Sequence, residues 1–359
     1  MPLDAVELLR ELVALPGPPG QENEVRDAVA VHAEALGCRS AADPRGNLII
    51  APPGRKDVPE RADILIVAHL DEIGMLVESY DHDGWVKVVS LGGLFPWKIG
   101  EGPVSILAPD GPLPGVLSFG SIHTNSMESR AARAKEKPLT WEMTRVFTGL
   151  KGKELEAAGV RPGTRVVVGP ERRGVMEFGD YIAAPFLDDR ADLVAMLLAI
   201  EVLANRAPSG GSGGPTFAFA ASAAEEVGGH GALYLFRKME PEIAIALEIG
   251  PRVPESPFPL DGNPTVWVND GYSSVQASDI ELIANAADDA EIAVHWQALS
   301  RGGSDASCAA SHGLVARPMT LAFAAENSHG FEITHRDSIR NLASLLVAVL
   351  DKIVGQPQL

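Results

Sequence analysis

Short apolar runs alternate with segments of helical periodicity along most of the chain, and several of these runs end in an acidic or imidazole residue. The runs are continuous and rich in valine, isoleucine, leucine and alanine, which is typical of strands buried on both faces of a parallel sheet. They are ADILIVAH, TFAFAAS, EIAIALE and MTLAFAAE. The alternation of such runs with helical segments predicts an α/β fold.

Helical spacing of apolar residues predicts helices at residues 21–36, 186–206, 227–239 and 338–354. The segment 278–289 carries Ser278 with Glu281 three positions later, a pattern that favours a capping box at the helix start. Residues 207–214, APSGGSGG, are small and polar apart from one proline, and they predict a flexible loop.

From Gly74 to about Asp180 the pattern changes to short alternating strands separated by the turn sequences DHDG, GG and PDGP. This change predicts a small β-barrel or sandwich that interrupts the α/β pattern and serves as a lid or an oligomerisation module. We therefore predict a discontinuous catalytic domain, residues 1–73 and 181–359, with an inserted β-rich domain at residues 74–180.

The composition restricts the classes of partner. Thirty Lys and Arg residues against 48 Asp and Glu give a net charge of −18, which disfavours nucleic acid and anionic membranes as partners. Cys38 and Cys308 are too few for a disulfide framework. The acidic amphipathic start of the chain lacks the features of a signal peptide, and no apolar run approaches the ~18 residues of a membrane span. These features predict a cytoplasmic protein.

The residues that follow the apolar runs form a potential metal-binding set. The members are His69, Asp188, Glu225, Glu226, Glu248 and His329. Because ligands of open α/β sheets bind at the carboxyl edge of the strands, we expect these side chains to converge there. Imidazoles and carboxylates without a thiolate suit Zn²⁺, Co²⁺ or Mn²⁺ better than Ca²⁺ or Mg²⁺. Asp188 is the candidate bridge, since one carboxylate can hold two cations roughly 3.5–4 Å apart.

The adjacent acids Glu225 and Glu226 indicate a division of roles. One of them would bind metal, and the other would take a proton from the attacking water and return it to the leaving amine. Asp71 projects to the same side of an extended segment as His69, so its carboxylate is predicted to accept the second N–H of that imidazole. Arg190 is expected to neutralise part of the charge of the aspartate pair that precedes it.

Several motifs occur in the order found in one family. They are HLDEIG, LDDR, EEVGGHGA, ALEIGP, GGSDA and NSHGFE. With them, nearly the whole chain resembles the tetrahedral, or glutamyl and deblocking, aminopeptidase family of two-metal exopeptidases. The resemblance implies a zinc-exopeptidase-like α/β/α catalytic domain on a mixed sheet, with a PDZ-like β-domain inserted into it.

The resemblance also implies the role of each site residue. His69 and Glu248 would be terminal ligands of one metal, and Glu226 and His329 would hold the other. Asp188 would bridge the two metals. The general base would be Glu225. Two divalent ions per subunit are implied, Zn²⁺ or Co²⁺, with Mn²⁺ as a further candidate.

The same resemblance implies peptide substrates, a cis peptide bond between Asp188 and Asp189, and a homo-oligomer built from dimers that extends to twelve subunits. The expected reaction is hydrolysis of the N-terminal peptide bond. The chain departs from the family pattern at Glu248, where the family carries aspartate, and at the Gly330 that follows His329. These departures bear on metal preference and specificity.

Other functions use part of the same chemistry. A metal-dependent deacylase or dipeptidase acting on small amides is the main alternative. A glycosidase with a carboxylate pair would leave both histidines without a role, and only 6% of the residues are aromatic. A binding protein with inactive metal sites is a third class, although every expected ligand type is present.

Overall fold

The computed structural model describes residues 2–206 and 215–355, in which seventeen strands form a closed barrel of six and one mixed sheet of eleven. The strands, in chain order, are β1 (Ser40–Ala42), β2 (Leu48–Ile50), β3 (Ile64–His69), β4 (Gly74–Tyr80), β5 (Trp85–Leu91), β6 (Gly102–Ala108), β7 (Gly111–Ser118), β8 (Arg145–Phe147), β9 (Arg165–Val168), β10 (Met176–Phe178), β11 (Tyr181–Pro185), β12 (Phe217–Ser222), β13 (Ile243–Pro251), β14 (Pro264–Asn269), β15 (His295–Ala298), β16 (Arg317–Glu326) and β17 (Phe331–His335). The predicted flexible loop at residues 207–214 lies outside the described residues.

Helices cover both faces of this sheet and connect the strands of the inserted segment. They are α1 (Ala5–Ala14), α2 (Asn23–Ala35), α3 (Pro96–Ile99), α4 (Arg130–Ala134), α5 (Gly152–Ala157), α6 (Leu187–Ala204), α7 (His230–Met239), α8 (Ala277–Asp289), α9 (Asp305–Ser311) and α10 (Ser338–Val354). None of the helices within the described ranges combines the length and apolar content needed to cross a bilayer.

The centre of the sheet consists of parallel strands in the order β12, β3, β13 and β16. Antiparallel strands flank it, with β2 beside β12 and β17 beside β16. The central strands are buried along almost their whole length, as their continuous apolar sequences predict. Because these strands are parallel, their carboxyl ends lie at one edge of the sheet.

Alternate residues of the central strands pack against the two helical layers. In β3, Ile64 and Ile66 belong to the core formed with α1, α2, α6, α8 and α10. Leu65 and Val67 face the other way, into the core formed with α7 and α9. This arrangement confirms the predicted α/β/α fold on a mixed sheet.

A closed barrel of six strands interrupts the α/β chain after β3. Its strands follow the order β4, β5, β8, β7, β6 and β9, and β9 closes the barrel by pairing with β4. Met75, Ile106 and Val146 are fully buried in its core. The chain then returns through β10 and β11, which belong to the large sheet. An inserted β-rich unit is therefore present, while the domain boundaries at residues 73/74 and 180/181 stay a prediction.

Candidate metal centre

The predicted site residues lie together at the carboxyl edge of the sheet and come from five different elements or loops. His69 ends β3, Glu248 lies in β13, Glu225 and Glu226 follow β12, His329 follows β16, and Asp188 lies at the start of α6. Strand order brings them together, because β12, β3, β13 and β16 are neighbours in the sheet.

Asp188 lies between the two imidazoles. Its Oδ1 is 2.9 Å from Nε2 of His69, and its Oδ2 is 3.6 Å from Nε2 of His329. Nε2 of His329 is also 3.8 Å from Oε1 of Glu226. One carboxylate thus presents an oxygen to each imidazole, which is the geometry expected of a ligand that bridges two cations.

Potential ligand atoms gather within 4.8 Å of one another in several groups of described residues. One group contains Asp188, Glu226 and His329, and it coincides with the ligand set predicted for one metal. The set predicted for the other metal, His69 with Asp188 and Glu248, is divided between two groups. His69 belongs to both of them, once with Asp188 and once with Glu248.

Backbone carbonyls orient both imidazoles. Nδ1 of His69 donates to the carbonyl of Asp71, and Nδ1 of His329 donates to the carbonyl of Gly93, each at 3.0 Å. Because Nδ1 makes this bond in each ring, Nε2 is the nitrogen that would bind a metal. Gly93 belongs to the inserted segment, and a Cβ there would lie 2.8 Å from the ring of His329. Only glycine permits this close approach, so the barrel unit helps to position a candidate ligand.

The carboxylate of Asp71 binds different partners from the predicted one. It lies 3.6 Å from Nδ1 of His69, too far for a hydrogen bond. Its oxygens instead accept the backbone N–H groups of Glu225 and Glu226 at 2.9 and 3.1 Å. The predicted bond from this carboxylate to His69 is therefore wrong, because two N–H donors engage it and the Asp71 carbonyl orients the ring. Asp71 nevertheless contacts the segment that carries both glutamates.

Side chains from the first part of the chain hold the whole loop that carries the two glutamates. The N–H of Ala223 donates to Oδ1 of Asn47 at 2.9 Å, and the N–H of Ala224 donates to Oε1 of Glu22 at 3.2 Å. With the bonds to Asp71, four successive N–H groups beyond β12 have side-chain acceptors. Ala224 has φ 57°, so the chain turns sharply at this point. The loop is thereby fixed without sheet partners.

The entrance of α6 is held in a similar way. Asp188 and Asp189 have non-helical backbone angles, and the peptide bond between them is cis, as the family resemblance implies. Oε2 of Glu332 accepts the N–H of Asp188 at 3.0 Å, and its Oε1 accepts the N–H of His329 at 2.8 Å. Oδ2 of Asp189 accepts the N–H of His69 at 2.6 Å. Acidic side chains therefore fix the backbone at each of these ligand positions.

Burial and mutual repulsion dominate the electrostatics of the centre. Burial, with the charge of nearby carboxylates, raises the pKa of Glu225, Glu226 and Glu248 well above the usual range. Burial alone would also raise the pKa of Asp188, but its hydrogen bond to His69 holds that pKa below the ordinary value. Burial opposes protonation of His69, yet the surrounding carboxylates raise its pKa.

A divalent cation fits this set of residues. Buried carboxylates are costly to ionise without positive charge nearby, and the cluster concentrates them around two imidazoles that can donate nitrogen ligands. Nitrogen and oxygen donors without thiolate suit first-row divalent metals. The described residues thus include groups that fit a metal ion.

Sequence reasoning assigned no role to Glu332 or to Asp305. The hydroxyl of Ser222 donates to one oxygen of Asp305, and its other oxygen is buried with no hydrogen-bond partner among the described residues. Burial raises the pKa of Asp305 to about 6. Both acids lie inside motifs that carry the family resemblance, GGSDA and NSHGFE. Membership of those motifs is the signal that identifies them.

Arg190 forms no salt bridge with the aspartate pair, but its positive charge, after His69 and His329, helps to lower the pKa of Asp188, in the predicted direction. Its guanidinium is buried and lies 2.9 Å from Oε2 of Glu72, a carboxylate that also binds Arg173. It further donates to the carbonyl of Leu12 at 3.1 Å. Its direct ionic partner is therefore Glu72, in a buried ion-pair group behind the centre.

A family profile described as M42 glutamyl aminopeptidase matches residues 46–345. The chain belongs to this family. The match confirms the resemblance drawn from the sequence motifs. In the M42 chain described here, the matched region contains every predicted site residue.

Individual relatives of this M42 chain agree with the assignment. It is 28% identical to the lysyl aminopeptidase of Pyrococcus furiosus over 245 residues, which cover 68% of this chain and 66% of that protein. The chain therefore spans slightly less than two thirds of the length of that relative.

Solved structures share the fold. An aminopeptidase from the archaeon Desulfurococcus kamchatkensis superposes with a TM-score of 0.82 at 24% identity, covering 98% of this chain and 95% of its own. The TET1 peptidase of Pyrococcus horikoshii gives a TM-score of 0.81 at 23% identity, covering 96% and 99%. That peptidase assembles into a tetrahedron or a large octahedral shell.

Proposed function

We propose that this protein is an aminopeptidase that uses two divalent metal ions to hydrolyse the N-terminal peptide bond of peptides. The observation that carries the proposal is Asp188, whose two oxygens face the imidazoles of His69 and His329. Family membership supports peptide-bond hydrolysis. The paired imidazoles also favour metal chemistry over a glycosidase, which would need only carboxylates.

The proposed ligand sets are those that the family resemblance implies. Glu226 and His329 would hold one ion, His69 and Glu248 would hold the other, and Asp188 would bridge them. Zn²⁺ and Co²⁺ are the proposed ions, with Mn²⁺ as a third candidate, because the donors are nitrogen and oxygen. Divalent ions in such a centre would polarise the carbonyl group of the substrate and lower the pKa of a water molecule.

Glu225 is the proposed general base. Its carboxylate would take a proton from the attacking water and return it to the departing amine. Burial raises the pKa of Glu225, and the charge of Asp305 acts in the same direction while His69 opposes it. Asp71 is the proposed positioning residue, because it fixes the backbone of Glu225 and Glu226.

A cavity of about 550 Å³ gives access to the centre and exposes Glu225, Glu226 and His329. Its wall contains these two carboxylates and one cation, Arg301, and the carboxylates would attract the positively charged α-amino group of a peptide. An N-acylated amide lacks that charge, so this cavity supports an aminopeptidase over a deacylase.

Replacing each glutamate separately tests the division of roles. Glu225→Gln should lower kcat by about 10²–10⁴, as expected for a lost general base, with metal content unchanged. Glu226→Gln should instead lower the metal content of the protein. Both are measured with aminoacyl-nitroanilides and by elemental analysis after loading with Zn²⁺ or Co²⁺. Glu281→Gln, on the exposed surface of α8, is the matched control.

Near-normal turnover by Glu225→Gln would overturn the assignment of the base. Equal loss of metal in both variants would overturn the division between base and ligand. A panel of free-amine and N-acylated substrates separates the aminopeptidase from the deacylase.

We also propose that the chain forms a homo-oligomer. The inserted segment exposes large apolar side chains, with Phe95, Trp97 and Ile122 exposed by 55%, 59% and 60%. Apolar surface of this kind is typical of protein interfaces. Light scattering on the purified protein measures the number of subunits, and a monomeric mass would contradict the proposal.

A further inference from the structure

A second cavity, of about 220 Å³, lies on the barrel side of His329. Barrel residues form most of its wall, including the buried Met75 and Leu94, and Phe331 of the large sheet completes it. An apolar cavity of roughly 150 Å³ is large enough to hold benzene, so this one has room for a leucine or phenylalanine side chain. The cavity contains none of the carboxylates of the metal centre.

Two cationic side chains, Lys98 and Arg172, line this apolar cavity. Nζ of Lys98 donates to the side-chain carbonyl of Asn327 at 2.7 Å, and Arg172 donates to the carbonyl of Ile99. Neither has a carboxylate within salt-bridge distance among residues 2–206 and 215–355. Nη1 of Arg172 is buried without a hydrogen-bond partner in the same ranges. In a chain of net charge −18, two cations without acidic partners on one small cavity indicate an anionic ligand.

His329 forms part of the wall of this cavity and of the larger one that contains Glu225 and Glu226. The two cavities therefore meet at the candidate metal centre. The larger cavity contains two carboxylates and one arginine, Arg301, whereas the smaller one contains two cations and no carboxylate. A dipeptide has the matching polarity, because its α-amino group is positive and its C-terminal carboxylate is negative.

We propose that the smaller cavity binds the residue after the scissile bond of a dipeptide, with its apolar side chain inside and its carboxylate at Lys98 and Arg172. The assignment of the cavity to the second residue of the dipeptide rests on the proposed function. The chemistry of the ligand does not depend on it. The ligand class is an aliphatic group that carries a carboxylate. It would make the enzyme prefer dipeptides with an apolar second residue over longer or amidated peptides.

Binding of 4-methylpentanoate, which is leucine without its amino group, tests the site independently of turnover. Calorimetry should show binding to the wild-type protein and much weaker binding of the neutral 4-methylpentanamide. Arg172→Gln and Lys98→Gln should each weaken binding of the acid roughly tenfold or more, as expected for a lost hydrogen bond between charged groups. Lys87→Gln removes the same charge from the exposed face of the barrel strand β5 and should leave binding unchanged.

Kinetics separate the two possible sources of the carboxylate, a dipeptide and a free acid. For the wild type, kcat/KM should be higher for Leu-Leu than for Leu-Leu-amide, and the advantage should disappear in Arg172→Gln through a higher KM. If kcat/KM is equal for the two substrates while 4-methylpentanoate binds to the protein, the proposal that the ligand is a dipeptide is wrong. The cavity would then be a site for free acids.

The site itself would be overturned if 4-methylpentanoate failed to bind, or bound equally well to both cavity variants and to the neutral amide. If the protein binds 4-methylpentanoate through Arg172 but has no peptidase activity, the proposed function is wrong and the proposed anion site is still supported. The comparison of acid with amide uses only wild-type protein, so it remains decisive if a variant fails to fold.

Discussion

Glu332 holds two separate parts of the candidate centre with one carboxylate. One of its oxygens accepts the N–H of Asp188 and the other accepts the N–H of His329. The side chain is buried, and burial with the charge of Asp188 raises its pKa to about 8. Positive charge in the centre would favour the ionised form, which accepts both bonds best. Glu332 is therefore a positioning residue for two of the proposed ligands.

Replacing Glu332 by glutamine should weaken metal binding by about 10–100-fold, as is typical for residues that orient ligands. Glutamine resembles the protonated acid, so the melting temperature should fall more for the metal-loaded protein than for the metal-free protein. Competition with a chelator and thermal melts measure both effects. Glu240→Gln, which alters an exposed ion pair with Arg61 away from the centre, is the control. An unchanged metal affinity in Glu332→Gln would contradict this role.

At the level of residues, the sequence identified which side chains converge but not how each is held. His69 and Glu248 were predictable because continuous apolar runs deliver them to the same sheet edge. The bond from His69 to the Asp71 carbonyl was not, since a backbone acceptor has no signature in the sequence. The ion pair of Arg190 with Glu72 was missed for a similar reason, because it depends on the direction of one long side chain.

At the level of elements, the loop after β12 decides where both glutamates point. Asn47 contributes most to this loop, because its side chain also donates to the carbonyl of Gly231 at 3.0 Å and to Asp43 at 2.7 Å. It thereby connects the turn before β2 to both sides of the loop. The glutamates follow an apolar strand in sequence, but a residue far earlier in the chain sets their orientation.

Asn47→Ala should lower kcat more than it changes KM, because the loop that carries the base loses a fixed acceptor. The variant leaves the N–H of Ala223 without a partner, which costs roughly 1–3 kcal/mol of the free energy of unfolding. Steady-state kinetics and chemical denaturation measure the two effects. Asn263→Ala is the control, since its side chain bonds only to nearby Asp261. Equal effects of the two substitutions on kcat would contradict the role of Asn47.

The helices and central strands were largely predictable, because their apolar periodicity is strong. The predicted helix at 338–354 coincides with α10. The capping box at Ser278 is wrong, since α8 begins at Ala277 with Gln276 at the N-cap position. A tertiary contact prevails there: Asp279, in the first turn, is buried and lies 2.6 Å from Arg317 of β16. Such a contact sets the start of a helix without a local sequence pattern.

At the level of the whole molecule, the metal-free protein contains several buried carboxyl groups whose pKa values are raised, so they hold protons near neutral pH. Burial raises the pKa of Asp192 to about 7 and that of Asp305 to about 6, while the pKa of Glu332 rises to about 8. In an unfolded chain such groups titrate near pH 4. Between these values the folded state binds more protons than the unfolded state, so stability falls as pH rises. His69, with its raised pKa, acts in the same direction.

We therefore predict that the melting temperature in EDTA is lower at pH 8 than at pH 6. Saturating Zn²⁺ or Co²⁺ should raise the melting temperature at pH 8 more than at pH 6, because metal ions bind the deprotonated ligands. Thermal melts with and without metal at the two pH values measure this. A melting temperature of the metal-free protein that rises from pH 6 to pH 8 would contradict a shared acidic centre. A melting temperature that does not change when metal is added would contradict it as well.

The closed barrel has one further consequence. Since β4 pairs with β9, with Met75 opposite Val166, the polypeptide chain enters and leaves the barrel at neighbouring points. A module whose two attachment points adjoin can be exchanged or enlarged during evolution without stretching its host. The hydrogen bond from His329 to the carbonyl of Gly93 limits such changes. Any replacement unit must still supply an acceptor for that imidazole. Divergence among relatives should therefore be greatest at the end of the barrel remote from Gly93.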